Sequence, residues 1–362
     1  MKQNYKLVIK NLDDSSEILA YKSLLQNRWN NNVYYSIEHL QYFEKDSDAL
    51  KCFLFEKEDA PIILMPFVFR KITIKEKELP YFDVISPYGY NGPLFDDAVS
   101  EEDVIEFWRH VDQWYVDNNV IAEFVRFSLN GNFNGYSGAL IESLFNVRGN
   151  LLDNFEDQWT AFLPKVRNNY RKAVNYNLEF KVFHKEQITK DIIKIFNDIY
   201  VSTMNRNNAD SIYFFSNSYF ENLILSNLGN FSIAIAYFEN IPISIELIIN
   251  YKDTFFAFLG GTDAEYFSYR PNDFLRVKII EWAIQNKIKH YVLGGGMRDG
   301  DGLYKSKKAL FPKDEDVMFY TGRKIVNREI YNELCSSANA DFIKIEEEDL
   351  KNHFFPFYRS CV

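Results

Sequence analysis

The chain has 362 residues, and 41 Lys+Arg against 51 Asp+Glu give it a formal charge of −10. With 47% hydrophobic and 25% charged residues it has the make-up of a soluble globular protein, which excludes disordered, collagen-like and coiled-coil classes. The length fits two domains or one large one with ample core. The acidic balance argues against broad nucleic-acid binding, DNA included, and leaves room only for a local basic patch.

Hydrophobic periods of 2 and 3.6 alternate along the chain. Lys51 to Glu56 and Ile62 to Ile74 read as strands punctuated by Pro61 and Pro66. Val104, Ile105, Trp108, Val111 and Tyr115 recur at helical spacing behind the acidic start Glu101-Glu102-Asp103. A strand, Ala122 to Phe127, follows. Trp159 to Val174 reads as a polar, basic helix, and Ile192 to Met204 as another. Phe231 to Tyr237, Ile243 to Asn250 and Thr254 to Leu259 predict a three-strand meander. Pro271 starts a helix running to Asn286, and His290 to Leu293 is a short buried strand.

The longest apolar run, Ala60 to Phe69, is far short of the ~20 residues a membrane span needs. Leu7-Val8-Ile9 behind the N-terminus is no signal-peptide core. Cys52, Cys335 and Cys361 are odd in number, far apart and without metal-ligand spacing. A reduced, cytoplasmic protein without a metal is the expectation.

A long-period echo is visible. Trp114 to Asn118 leads into Phe124-Val125, and Trp282 to Asn286 leads into Val292-Leu293, with matching offsets. Two copies of one α/β module are expected, joined near residues 146–155.

Familiar motifs fail in turn. Gly294-Gly295-Gly296 is no dinucleotide fingerprint, because its third glycine would fall on Asp299. Lys305 follows Tyr304 and not glycine, so there is no Walker loop. Asp299 and Asp301 begin no calcium loop, since its twelfth position is Leu310. Gly135 to Gly138 lacks nucleophile-elbow spacing, and no His-Glu-x-x-His occurs.

Three segments remain. Ser86 to Asp96 presents Tyr88, Tyr90 and Asp96 between glycines and prolines. Lys165, Arg167, Arg171 and Lys172 cluster along one helix, as a solvated face or as an anion grip. Leu293 to Lys308 puts three glycines after a buried strand and three lysines, Lys305, Lys307 and Lys308, shortly behind. Exposed backbone N–H groups there predict anion binding.

These segments resemble the FemABX-type aminoacyl/acyltransferases of the GNAT superfamily. Leu293 to Lys307 matches the family's Leu-Gly-Gly-Gly stretch and its lysine, with Ser306 where the family has Phe. Val166 to Ala173 matches its basic helix, and Gly92-Pro93-Leu94-Phe95-Asp96 its Gly-Pro-x-x-Asp element. Thr203 to Arg206 and Gly260 to Asp263 are also similar. Asn91 stands where FemA-like members often carry Arg, and Tyr269 to Asp273 replaces the pyrophosphate loop of simple GNAT enzymes. The resemblance implies two tandem α/β (α+β) GNAT-like domains sharing a cleft, each a mixed, largely antiparallel sheet flanked by helices. Their expected extents are residues 1–150 with the tail 315–362, and residues 151–314.

The implied reaction is acyl transfer to an amine. Asp96 would hold or deprotonate the acceptor, or merely cap a turn. Lys307 would neutralise a donor phosphate or the oxyanion, with Tyr304 nearby and Lys305 as substitute. Arg167 and Arg171 would hold an acceptor phosphate. Tyr88 and Tyr90 would line the cleft, and Gly294, Gly295, Gly296 and Arg298 would serve the donor. The leading expectation is a bacterial N-acyltransferase using acyl-CoA on a cell-envelope glycan precursor or nucleotide-linked amino sugar. Transfer from aminoacyl-tRNA to a peptidoglycan precursor, and a degenerate binding module without turnover, are the alternatives.

Overall fold

The computed structural model describes residues 4–43, 48–339, 350–351 and 353–360; Cys361 lies outside them. Two compact units divide the chain, Met1–Ser143 with Met318–Val362, and Leu144–Val317. The division falls within one strand, Ala139–Asn150. That strand mixes polar and apolar residues without turn signals, so composition does not mark the boundary.

In the first unit the sheet runs in the order Tyr5–Asn11, Asp48–Lys57, Ala60–Ile74, Lys77–Ile85, Val120–Arg126, Val317–Ile325. Neighbours are antiparallel except Lys77–Ile85 and Val120–Arg126, which are parallel. A parallel step needs a crossover, and the helix Glu101–Asp117 supplies it. Ser100 and Asp103 close a capping box at its start. Its apolar stripe, Val104, Phe107, Trp108, Val111 and Tyr115, packs in the core with Phe53, Phe55, Met65 and Phe67. Pro66 does not interrupt its strand. It stands between Leu64, paired to Leu94, and Val68, paired to Ile85. On that side it has no partner among the described residues, so a missing N–H need cost no ladder bond.

In the second unit the order is Ala139–Asn150, His290–Gly294, Thr254–Thr262, Ile241–Tyr251, Phe231–Phe238, Glu179–His184. The meander is present as read. His290–Gly294 lies parallel to Thr254–Thr262, and the helix Pro271–Gln285, with proline in its first turn, is the crossover. The basic helix is two helices, Phe155–Ala161 and Pro164–Val174, because Phe162 and Leu163 are extended ahead of the proline.

The repeat is real. Phe124 forms the last parallel strand pair with Ile85, and Val292 the last with Phe256. Each lies ten residues beyond its tryptophan, Trp114 or Trp282, and each follows the crossover helix of its own sheet.

Candidate active site

The glycine run begins where His290–Gly294 ends, with Gly294 at φ 75°. A Cβ on Gly295 would meet the Phe145 carbonyl at 2.9 Å, and one on Gly296 would collide with the Asp301 carboxylate. Only glycine lets that carboxylate come so close. Asp301 caps the helix Gly302–Lys308, accepting from Tyr304 N at 2.8 Å. It also accepts from Met297 N at 2.7 Å and Arg298 N at 3.2 Å. The amides of Met297 and Arg298, just past the glycine run, therefore donate to the chain's own carboxylate. These bonds, the Tyr304 one foremost, hold the Asp301 carboxyl below its ordinary range.

Lys307 is half-buried, and its Nζ donates to Gly295 O at 2.6 Å. Burial pushes its ammonium down to about 8; Arg276 adds to this, while Glu246 and Asp301 oppose it. Lys305 and Arg298 are exposed. Tyr304 donates to Asp316, which raises the phenol to about 12. Lys308 is paired with Asp316 at 2.9 Å.

Three residues absent from the sequence reading form a buried group, and two of them, Arg276 and Glu246, act electrostatically on Lys307. Glu246, 1% exposed, accepts from Tyr291 and pairs with Arg276 at 3.0 Å. The signal was available: Glu246 is a lone carboxylate inside the apolar run Ile243 to Asn250, and a charge buried in a strand needs a partner.

The basic helix is held by its cations. Arg167 donates to the carbonyls of Thr160, at 3.1 Å, and Phe162, closing the end of the preceding helix. Arg171 is exposed, bonded to Asn168 at 3.2 Å and lying over the Trp159 ring at 5.5 Å. Lys165 and Lys172 are exposed. On the inner face Tyr170 stacks on Phe274, and Asn169 donates to Asp273 at 3.1 Å. The Thr203 to Arg206 and Gly260 to Asp263 segments meet. Thr203 Oγ1 accepts from Thr262 N at 3.0 Å, and Arg206 donates to Thr262 O at 2.7 Å.

In the first unit, Asp96 pairs with Arg28 at 2.8 Å and accepts from Ala98 N at 3.2 Å, a turn-capping arrangement. Tyr88 stacks on Phe43, and Tyr90 packs edge-on against Tyr34 and Phe319. Buried Asn91 donates to Tyr34 O at 2.9 Å, while its carbonyl accepts from Asn132 at 2.7 Å. This position anchors a loop instead of presenting a cation.

Residues 164–306 match the family described as Acetyltransferase (GNAT) domain, wholly within the second unit. The second unit carries a GNAT acyltransferase domain. No curated protein matches the chain. Among solved structures, FemX aligns over 87% of this chain and 97% of its own, at TM-score 0.62 and 13% identity. The C-terminal domain (DUF2156) of a putative lysylphosphatidylglycerol synthetase from Agrobacterium fabrum aligns over 86% and 92%, at 0.54 and 11%. L-PGS from Bacillus licheniformis aligns over 88% and 94%, at 0.54 and 13%. These likenesses establish a FemX-like fold. Among the described residues no helix is long and apolar enough to cross a membrane.

Proposed function

We propose that the chain moves an acyl group from acyl-CoA to an amino group of a cell-envelope glycan precursor or nucleotide-linked amino sugar. One observation carries the reading. The parallel pairing of Thr254–Thr262 with His290–Gly294 stops at Phe256 and Val292, although the first strand continues to Thr262. A strand edge released in this way can hydrogen-bond the amides of a pantetheine-like arm, as an added strand would. Lys307, bound to Gly295, stands just past that point. In this reading it serves the reacting acyl group, and Asp96, Tyr88, Tyr90, Arg167 and Arg171 serve the acceptor.

Transfer from aminoacyl-tRNA is favoured by a different observation. Asp273 sits in the first turn of Pro271–Gln285, where simple GNAT enzymes would place a diphosphate, and a carboxylate repels one there. Calorimetry with acetyl-CoA and with an aminoacyl-tRNA analogue, followed by a turnover assay, separates the readings. Binding without turnover would support the binding module instead.

A further inference from the structure

Arg276 lies on the crossover helix Pro271–Gln285, and its side chain is 17% exposed. Its Nη2 pairs with Glu246 at 3.0 Å, and Glu246 also accepts from Tyr291 Oη, while Nη1 is buried without a hydrogen-bond partner. Asp273, on the same helix, is engaged by Asn169 at 3.1 Å. A buried donor left unpaired costs stability, and a buried ion pair contributes little in return. The internal repeat shows that the fold does not require a cation at this place. Trp108 and Arg276 each stand six residues ahead of the repeat tryptophan, Trp114 or Trp282. Trp108 is a core residue of the first unit, 1% exposed. The same helix position is thus apolar in one unit and cationic in the other.

The cation stands where the sheet opens. Glu246 faces Gly260 across the antiparallel ladder. Gly260 lies past Phe256, in the stretch of Thr254–Thr262 that has parted from His290–Gly294. A Cβ on Gly260 would stand 4.0 Å from Glu246 Cγ, so the missing side chain leaves that flank of the ion pair uncovered by its strand neighbour. We infer that Arg276 binds the acyl carbonyl: with the donor's arm laid along the released strand, Nη1 donates to the carbonyl oxygen. This rests on the acyl-transfer reading above. Glu246, held by Tyr291, fixes the guanidinium fork. As the acceptor nitrogen forms its C–N bond, the carbonyl electron pair moves onto that oxygen. The pair returns as the C–S bond of a thioester, or the C–O bond of an ester, breaks. The departing sulfur or oxygen takes a proton from the nitrogen. A donor fixed in advance gains most as charge builds on the oxygen.

Infrared difference spectra of acetyl-CoA, isotope-labelled at its carbonyl carbon and bound to the intact protein without acceptor, read this contact directly. An aminoacyl-tRNA analogue labelled at its ester carbonyl replaces it if calorimetry selects that donor. Two variants keep Glu246 from being stranded. Arg276→Lys retains a charge for it but not the fork. The pair Arg276→Met with Glu246→Gln removes both charges, a change that buried sites often tolerate. Either variant that folds tests the contact. The carbonyl stretch should lie lower in wild type than in the variants. Their kcat should fall by about a hundredfold to a thousandfold, with KM for the donor changing far less. Were Arg276 only the counter-ion of Glu246, the paired variant would keep the wild-type stretch and turnover. That result overturns the inference and leaves the acyl-transfer reading standing, because wild type still transfers. No turnover by wild type from either donor removes both.

Discussion

Asp301 Oδ2 accepts from the Met297 amide at 2.7 Å, four residues back, and in the first unit Asn132 Oδ1 accepts from the Ser128 amide at 2.8 Å over the same interval. Both loops follow the strand after the crossover helix. In the first unit a neutral amide closes the turn, and in the second a carboxylate does.

The carboxylate at Asp301 predicts a local effect. Asp301→Asn keeps an acceptor and should leave the loop closed. Asp301→Ala should speed hydrogen exchange at Met297 and Tyr304 while distant strands keep their protection. Uniformly faster exchange across the second unit would contradict a local cap.

Arg167 gives a stability prediction. Its guanidinium holds the Thr160 and Phe162 carbonyls, so Arg167→Ala should cost about 1.5–3 kcal/mol. A plain surface residue would cost less than about 0.5 kcal/mol. Denaturant melts decide this. Titrating phosphorylated and dephosphorylated acceptor at two ionic strengths then asks whether Arg167 also grips a phosphate, since only that contact weakens selectively and with salt.

Lys324 is 8% exposed, 3.4 Å from fully buried Glu123 and paired with Asp112. Its Nζ also lies 4.7 Å from the Trp108 ring centre. Lys324→Met strands the Glu123 charge, and the expected loss is about 3–5 kcal/mol. A loss under about 1 kcal/mol in urea melts would mean that Tyr115 and Tyr136 alone satisfy the carboxylate.

Asp103 predicts acid sensitivity. Burial opposes ionisation, but Lys57, Ser100 and Tyr5 together hold its carboxyl below the ordinary range. A depressed folded-state value contributes stability above the unfolded value of about 3.9, and that stability is lost as pH falls through the folded one. Melting temperature should therefore drop steeply below about pH 4, and Lys57→Met should flatten the drop. Parallel pH profiles for the two proteins would contradict this.

The sheet halves were legible because Trp114 and Trp282 stand at equal distances from their strands, and because alternation in Phe231 to Leu259 leaves little choice but a meander. The break at Pro164 was not read, although proline in a helix interior is costly; the run of polar residues masked it. Lys307 is half-buried because its side chain reaches back to Gly295, a contact that spacing does not show. Spacing does not reveal that Asp301 folds back onto the Met297 and Arg298 amides just past the glycine run, because that depends on Gly296 admitting its carboxylate. Arg276 and Glu246 are distant in sequence, and only the pairing of strand and helix brings them together.

Thiol release from acetyl-CoA with a UDP-linked amino sugar, wild type beside Lys307→Ala, tests acyl transfer through Lys307 most directly. An aminoacyl-tRNA analogue, followed by ester cleavage, replaces acetyl-CoA if calorimetry selects it. Wild type should release the leaving group only with acceptor present. Lys307→Ala should fall by about a hundredfold or more, while loss of the Gly295 bond costs only about 0.5–1.5 kcal/mol of stability. A folded Lys307→Ala protein that turns over at the wild-type rate would contradict the account.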